Sequence, residues 1–435
     1  MNKSASLLAA VVAASAVSTH AANAPNSSPA ANALRDFNPA MSVILDGVYH
    51  YDSISGDAPG LIEEHSNALH SDGPEGEEEF LDQGFNLREI EFTVTGSVDS
   101  YFDAWLTAIF NDDEIKIEEA WIRTQSLPYG FTVKAGKFLS ALGYHNEKHV
   151  HSWDFIDQNL AYLSLISDEG LGDAGVQISW LAPTPFFLET GFELLQGGGQ
   201  ERFGAELDGE ELAELINEEF MLVIDEDDLN LPTRQGPRFG VAYLRFSPDL
   251  GTRQGLQLGA SISHTDSQQI FRKDGTDAFL SEDSGNLYGL QAVYKRFATG
   301  AYGKGYFDIS GEVFAFESEQ NAVFHTDPLQ LGIPVELRQK AAYVQANWGV
   351  APRWRLAVRQ SIAGFDSEVV EDGNSERIGV SRQFSGAITW LPTEFSKVRL
   401  QFNHNDIAGE DGRRHANQVM LQYNMSLGAH GAHKF

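Results

Sequence analysis

Apolar and polar residues alternate along most of this chain. Near its end Val419, Leu421, Tyr423, Met425 and Leu427 share one parity. Gln418, Gln422, Asn424 and Ser426 share the other, with Met420 the exception. Successive side chains of a strand turn to opposite faces, so this pattern predicts a strand with one apolar and one wet face. Segments of the same kind recur from Met41 onward, each roughly 9–12 residues, the length of a tilted membrane-crossing strand. Sixteen are read: Met41–Tyr51, Phe85–Val98, Phe102–Phe110, Ile115–Gln125, Phe131–Phe138, Ala174–Leu181, Phe186–Gln196, Phe239–Phe246, Leu256–His264, Tyr288–Arg296, Tyr306–Phe316, Ala341–Trp348, Trp354–Gln360, Phe384–Leu391, Val398–His404 and Asn417–Phe435.

The connections alternate too. One set is long and polar (52–83, 139–173, 197–235, 265–285, 317–337, 361–376, 405–415), with Asn111–Glu114 the exception, and the other is tight. Inside a bilayer every backbone polar group needs a partner, and strands meet that demand only by closing on themselves. The expected fold is therefore all-β: a transmembrane antiparallel β-barrel of 16 strands with long extracellular loops and short periplasmic turns. A barrel this wide is expected to hold water in its lumen rather than a packed core. Trp180, Phe186, Trp348, Trp354 and Trp390 sit on the outward parity within a few residues of short turns. With the terminal Phe435 they predict an aromatic girdle at the lipid boundary.

The start of the chain adds an export signal. A basic residue, Lys3, precedes the apolar stretch Ala5–Val17 and the small residues up to Ala21, so 1–21 is expected to be a secretory signal peptide. Residues 22–39, rich in Ala, Asn, Ser and Pro, then form a flexible periplasmic lead-in, and 40–435 the barrel. The closing strand ending in Phe resembles that of bacterial outer-membrane barrels, where it is read by the barrel-assembly machinery.

Composition narrows the partners. Net charge is -32, with 62 acidic residues against 30 Lys and Arg, and there is no cysteine. Such a field draws cations and repels nucleic acid. The polar parity places Glu89, Glu91 and Glu119 on an acidic arc of the lumen wall and Arg355, Arg359 and Arg399 on a basic one. For Glu119 the pattern conflicts, because Ile115 and Ile117 share its parity. Two readings stand for the arcs: a transverse field across the pore, or local cross-strand ion pairing.

Within 139–173, the expected constriction loop, His145, Glu147, His149, His151 and Asp154 crowd into ten residues. Imidazole and carboxylate suit zinc, copper or nickel, and in an extended segment the first four would face one way. The alternative is a polar hydrogen-bonded loop without metal. No cofactor is expected beyond weakly bound divalent cations. The acidic first loop (Glu63 to Glu79) and fourth loop (Glu206 to Asp228) read as solvated surface or as a cation-collecting rim that bridges lipopolysaccharide. Helical spacing of Leu212, Leu215, Ile216 and Phe220 predicts a short helix there. No Gly-x-Ser-x-Gly motif is present, and an enzyme is not expected.

Gly136-Lys137-Phe138, Gly170-Leu171-Gly172-Asp173-Ala174-Gly175-Val176-Gln177 and Pro352-Arg353-Trp354-Arg355 resemble the phosphate-selective porin O/P-like group. The ending Leu427 to Phe435 is similar to a branch associated with zinc-responsive outer-membrane proteins. The resemblance implies a homotrimeric porin that folds its third loop into the lumen, surrounded by outer-membrane lipid and lipopolysaccharide. It does not carry phosphate selectivity over, because the acidic excess departs from that group's basic ladder. The expected function is diffusion of small hydrophilic solutes with a preference for cations, divalent metals such as zinc included. An anion porin or a closed structural barrel is the alternative.

Overall fold

The computed structural model describes residues 39–54, 81–111, 115–197, 209–229, 236–274, 277–325, 334–371, 374–409 and 412–428. The expected signal peptide, most of the lead-in and of the acidic first loop, and Phe435 lie outside the described residues. The chain forms two units, 1–40 and 41–435, and the barrel is the second.

Eighteen strands follow one another: β1 (Ala40–Asp52), β2 (Gly84–Ser97), β3 (Phe102–Phe110), β4 (Ile115–Thr124), β5 (Phe131–Leu139), β6 (Gly172–Leu181), β7 (Phe187–Leu195), β8 (Phe239–Ser247), β9 (Gln254–Asp274), β10 (Asp277–Arg296), β11 (Phe307–His325), β12 (Pro334–Ala351), β13 (Trp354–Ala363), β14 (Glu368–Glu371), β15 (Asn374–Arg377), β16 (Ser381–Thr393), β17 (Ser396–Gly409) and β18 (Gly412–Gly428). Sixteen form the wall, each antiparallel to the next, and β18 closes the cylinder on β1. The other two, β14 and β15, make a hairpin whose β14 pairs with the N-terminal end of β12. No helix among the described residues is long and apolar enough to cross a membrane.

The alternation follows the expected faces. In β17, Leu400 and Phe402 stand 48% and 45% exposed, while the neighbours Arg399, Gln401 and Asn403 are buried. Leu400 pairs with Ile388 on one side and Leu421 on the other, so the exposed apolar rows run continuously around the wall. Such a belt is stable only against acyl chains.

Two expectations need correction. Several gaps read as long polar loops are paired strand: β9 and β10 stay paired as far as Asp274 and Asp277, and β17 and β18 as far as Gly409 and Gly412. Polar sequence forms a strand readily when a partner lies beside it and water solvates both faces. Nor is the lumen wholly wet. A helix, α1 (Leu160–Leu165), has every residue buried and packs on inward-facing Phe314, Phe316, Leu337, Ala341 and Tyr343. The expected fourth-loop helix is present as α2 (Gly209–Phe220), burying Leu212, Ala213 and Ile216.

Candidate functional site: the third loop in the lumen

Residues 140–171, between β5 and β6, lie inside the barrel. Their neck is closed by Asn146, whose Nδ2 donates to the carbonyls of Ser140 and Leu171 at 2.8 Å and whose Oδ1 accepts from Leu171 N at 2.7 Å. The helix starts at Asn159, whose side chain accepts from the amides of Ala161 and Tyr162 and so caps its first turn.

Three inward-facing anchors hold the loop. Glu312 of β11, fully enclosed, accepts from the amides of Tyr144 (2.7 Å) and His145 (3.1 Å) and from the hydroxyls of Tyr343 (2.6 Å) and Tyr162 (3.2 Å). Gly143 makes this approach feasible, because a Cβ there would come within 2.4 Å of Glu312 Oε1. At the tip, Asp157 accepts from Arg359 Nη2 (2.7 Å), Gln401 (2.5 Å) and Asn403 (2.7 Å), while Gln401 Oε1 accepts from Ile156 N (2.6 Å). Arg88 pairs with Asp46 and donates to the carbonyl of Ile156. Met420, the apolar residue on the wet parity of β18, is buried against Ile156 and Val48.

The third anchor is a cluster on β2 and β4. Thr107 opposes Glu119, and Ala108 opposes Ile117, so Glu118 is the extra residue of a β-bulge. The bulge resets the parity: Ile115 and Ile117 are exposed outside, while Glu118 and Glu119 are both buried inside. It resolves the conflict over Glu119. His149 reaches between these carboxylates, with Nδ1 2.7 Å from Glu118 Oε2 and 3.3 Å from Glu91 Oε2, and Nε2 2.9 Å from Glu119 Oε2. His151 Nδ1 lies 2.7 Å from Glu91 Oε2.

The five loop residues expected to form one metal set separate. His149 and His151 converge, but with Glu91, Glu118 and Glu119 of the wall. His145 instead packs on Trp153, Tyr162 and Tyr343 with ring centroids 5.0, 5.1 and 6.1 Å away. Glu147 pairs with Arg245, and Asp154 accepts from Gln345 at 3.0 Å. The expected common face required an extended segment. Residues 141–148 are mostly turns and 150–152 a 3₁₀ turn, so period-two alternation does not apply.

Charge states follow these surroundings. Burial drives the pKa of His145 well below 6.5, with Lys148 and Arg359 adding to the effect, and the ring is neutral. Burial also lowers His151, against the pull of Glu91. At His149 burial acts the same way but Glu118, Glu119 and Glu91 overcome it and hold the pKa well above 6.5. Burial raises Tyr144 to about 12.

Of the expected pore residues, Glu89, Glu91, Arg359 and Arg399 face inward and are buried, as is Glu119. The Arg355 guanidinium lies 5.2 Å from the Tyr306 ring. Trp348, Trp354 and Trp390 are exposed, Trp354 and Trp390 stacking at 6.1 Å across β13 and β16. Trp180 donates to the carbonyl of Tyr129 in the turn beside it. Sequence reasoning missed Glu118, Asp157 and Glu312. Glu312 carried a signal, as a carboxylate alternating with apolar residues on a strand.

A closed sixteen-stranded cylinder with an apolar outer belt and an inserted third loop is an outer-membrane β-barrel of porin architecture. No family model matches the chain. It belongs to the same family as an uncharacterized protein of Aquifex aeolicus (strain VF5), 31% identical over 354 residues that span 81% of this chain and 70% of the relative. Among solved structures it is similar in fold to the outer membrane channel DcaP of Acinetobacter baumannii (TM-score 0.50, 10% identity, 90% of this chain and 97% of that one). The trimer form of OmpT, an outer membrane protein of Vibrio cholerae, is similar to the same degree (TM-score 0.50, 9% identity, 90% and 99%).

Proposed function

We propose that the protein is a channel through which small hydrophilic solutes diffuse across the outer membrane, in the space the third loop leaves beside the wall. The observation that carries this reading is the loop itself, held inside the barrel by polar side chains of β2, β11, β13 and β17. On this reading the loop narrows the path without sealing it, in keeping with the partial exposure of side chains beside it: Asp157 at 19%, Arg88 at 14% and Glu189 at 24%. Cation preference extends this reading. It rests on the net charge of -32 and on the acidic arc of Glu89, Glu91, Glu118 and Glu119, and it includes divalent metals among the solutes. We further propose a homotrimer embedded in lipid and lipopolysaccharide and assembled through its closing strand.

A closed barrel is the second reading, favoured by the complete burial of α1. Planar-bilayer recording separates the two. Stepwise conductance is expected, with a reversal potential of cation-selective sign in a tenfold salt gradient. Absence of steps, together with liposomes that fail to swell in small sugars, refutes the channel. An anion-selective sign refutes only the preference.

A further inference from the structure

We infer that Glu91, Glu118, His149 and His151 form a binding site for a borderline divalent metal ion of the zinc class, which ties the third loop to the barrel wall. Donor atoms of Glu91, His149 and His151 all lie within 4.8 Å of one another. Glu118 Oε2 adds a fourth, 2.7 Å from His149 Nδ1. A tetrahedral ion with ligand bonds of about 2.0–2.2 Å sets its donors about 3.3–3.6 Å apart, inside that 4.8 Å span and reached by a small outward shift of Glu118.

The environment of His149 points to a cation. With Nε2 held by Glu119 Oε2 at 2.9 Å, Nδ1 faces two carboxylate oxygens, Glu118 Oε2 at 2.7 Å and Glu91 Oε2 at 3.3 Å. Buried Nδ1, Glu91 Oε2 and Glu118 Oε2 make no aligned hydrogen bond despite their closeness. Once an ion displaces the Nδ1 proton, three lone-pair atoms converge on one point, the arrangement a metal ion satisfies. The outer support is present as well. Glu119 Oε1 accepts from Trp121 Nε1 (3.1 Å) and Leu139 N (3.2 Å), and Thr93 holds Glu91 Oε1 at 2.8 Å, leaving Oε2 to face the histidines. Carboxylates that orient a ligating imidazole through its other nitrogen are a regular part of metal centres.

Charge balance argues the same way. Glu89, Glu91, Glu118 and Glu119 are all buried here. Of the nearby bases, Arg88 is engaged with Asp46 and the carbonyl of Ile156, and Lys397 with the carbonyl of His151. Four buried carboxylates around one imidazolium are costly, and a divalent ion taking the place of its proton adds positive charge. Two imidazole nitrogens select zinc, copper or nickel over calcium and magnesium.

The test is a zinc titration by calorimetry of the folded barrel in detergent after stripping with a chelator. It reads metal binding alone and is independent of solute passage. About one saturable equivalent per chain is expected, undisturbed by millimolar magnesium. His149→Ala/His151→Ala should abolish it, and Glu119→Gln should weaken it about 10–100-fold. His145→Gln and Asp154→Asn should leave it intact. A wild-type barrel that takes up no zinc, or a double variant that binds as well as wild type, overturns the site. Should the double variant fail to fold, cobalt added to the wild type decides. Intense visible bands of four-coordinate cobalt support the site, and the weak spectrum of the aqueous ion refutes it.

Discussion

At the scale of single residues, the loop depends on a few buried polar atoms. Gly143→Ala places a methyl group against Glu312 Oε1 and the Tyr162 hydroxyl, 2.4 and 2.7 Å away. Overpacking of this kind costs about 1–3 kcal/mol, and the expected outcome is a loop that proteases cut while the wall stays folded. His145 gives a pH dependence. Its folded pKa lies below its unfolded value of 6.5, so the stability it contributes is present above pH 6.5 and is lost as pH falls through that value. Proteolysis of the loop should therefore accelerate below about pH 6.5. His145→Phe, which keeps the ring among Trp153, Tyr162 and Tyr343, should flatten that acceleration. A variant with the wild-type pH profile would show that another group is responsible.

At the scale of elements, the wall was legible because its signal is local. A period-two pattern in β17 or β18 needs no knowledge of the neighbouring strand. Strand ends above the membrane were not, because the apolar rows stop there while pairing continues. The missed cue was turn chemistry: Asp274-Gly275, Asp372-Gly373 and Asp411-Gly412 are dipeptides that favour tight hairpins, and each falls in the sequence where one strand gives way to the strand that pairs with it. The candidate site was half legible. His149 and His151 stood out as a pair in one loop, but their carboxylate partners come from β2 and β4, about 30–60 residues away, and the bulge at Glu118 inverted the parity needed to find one of them. The loop tip offers a test at this scale. Asp157→Ala removes the acceptor shared by Arg359, Gln401 and Asn403. Each buried donor left unsatisfied costs about 1–3 kcal/mol. Single-channel records of this variant should show larger or noisier steps than wild type, and identical records would mean that the tip does not limit the path.

At the scale of the whole molecule, the two faces of one sheet are matched to two different media. The inner face is polar where it meets the loop backbone and apolar where it meets α1, so it behaves partly as an interior. The outer face has no protein cover among the described residues, and its continuous rows of Leu, Ile, Val and Phe are stable only in lipid. This has a signed consequence. Leu400 lies in such a row, flanked by Ile388 and Leu421. Leu400→Arg should cost about 2–4 kcal/mol in folding into bilayers, because the guanidinium must leave water for hydrocarbon. Leu400→Ala should cost less, since it removes apolar contact without inserting a charge. Were the belt exposed to water instead, Leu400→Arg would be neutral or mildly favourable. Denaturant titrations of the two variants in lipid vesicles give opposite orders of stability for the two cases, and the sign alone distinguishes a membrane-facing wall from a solvated one.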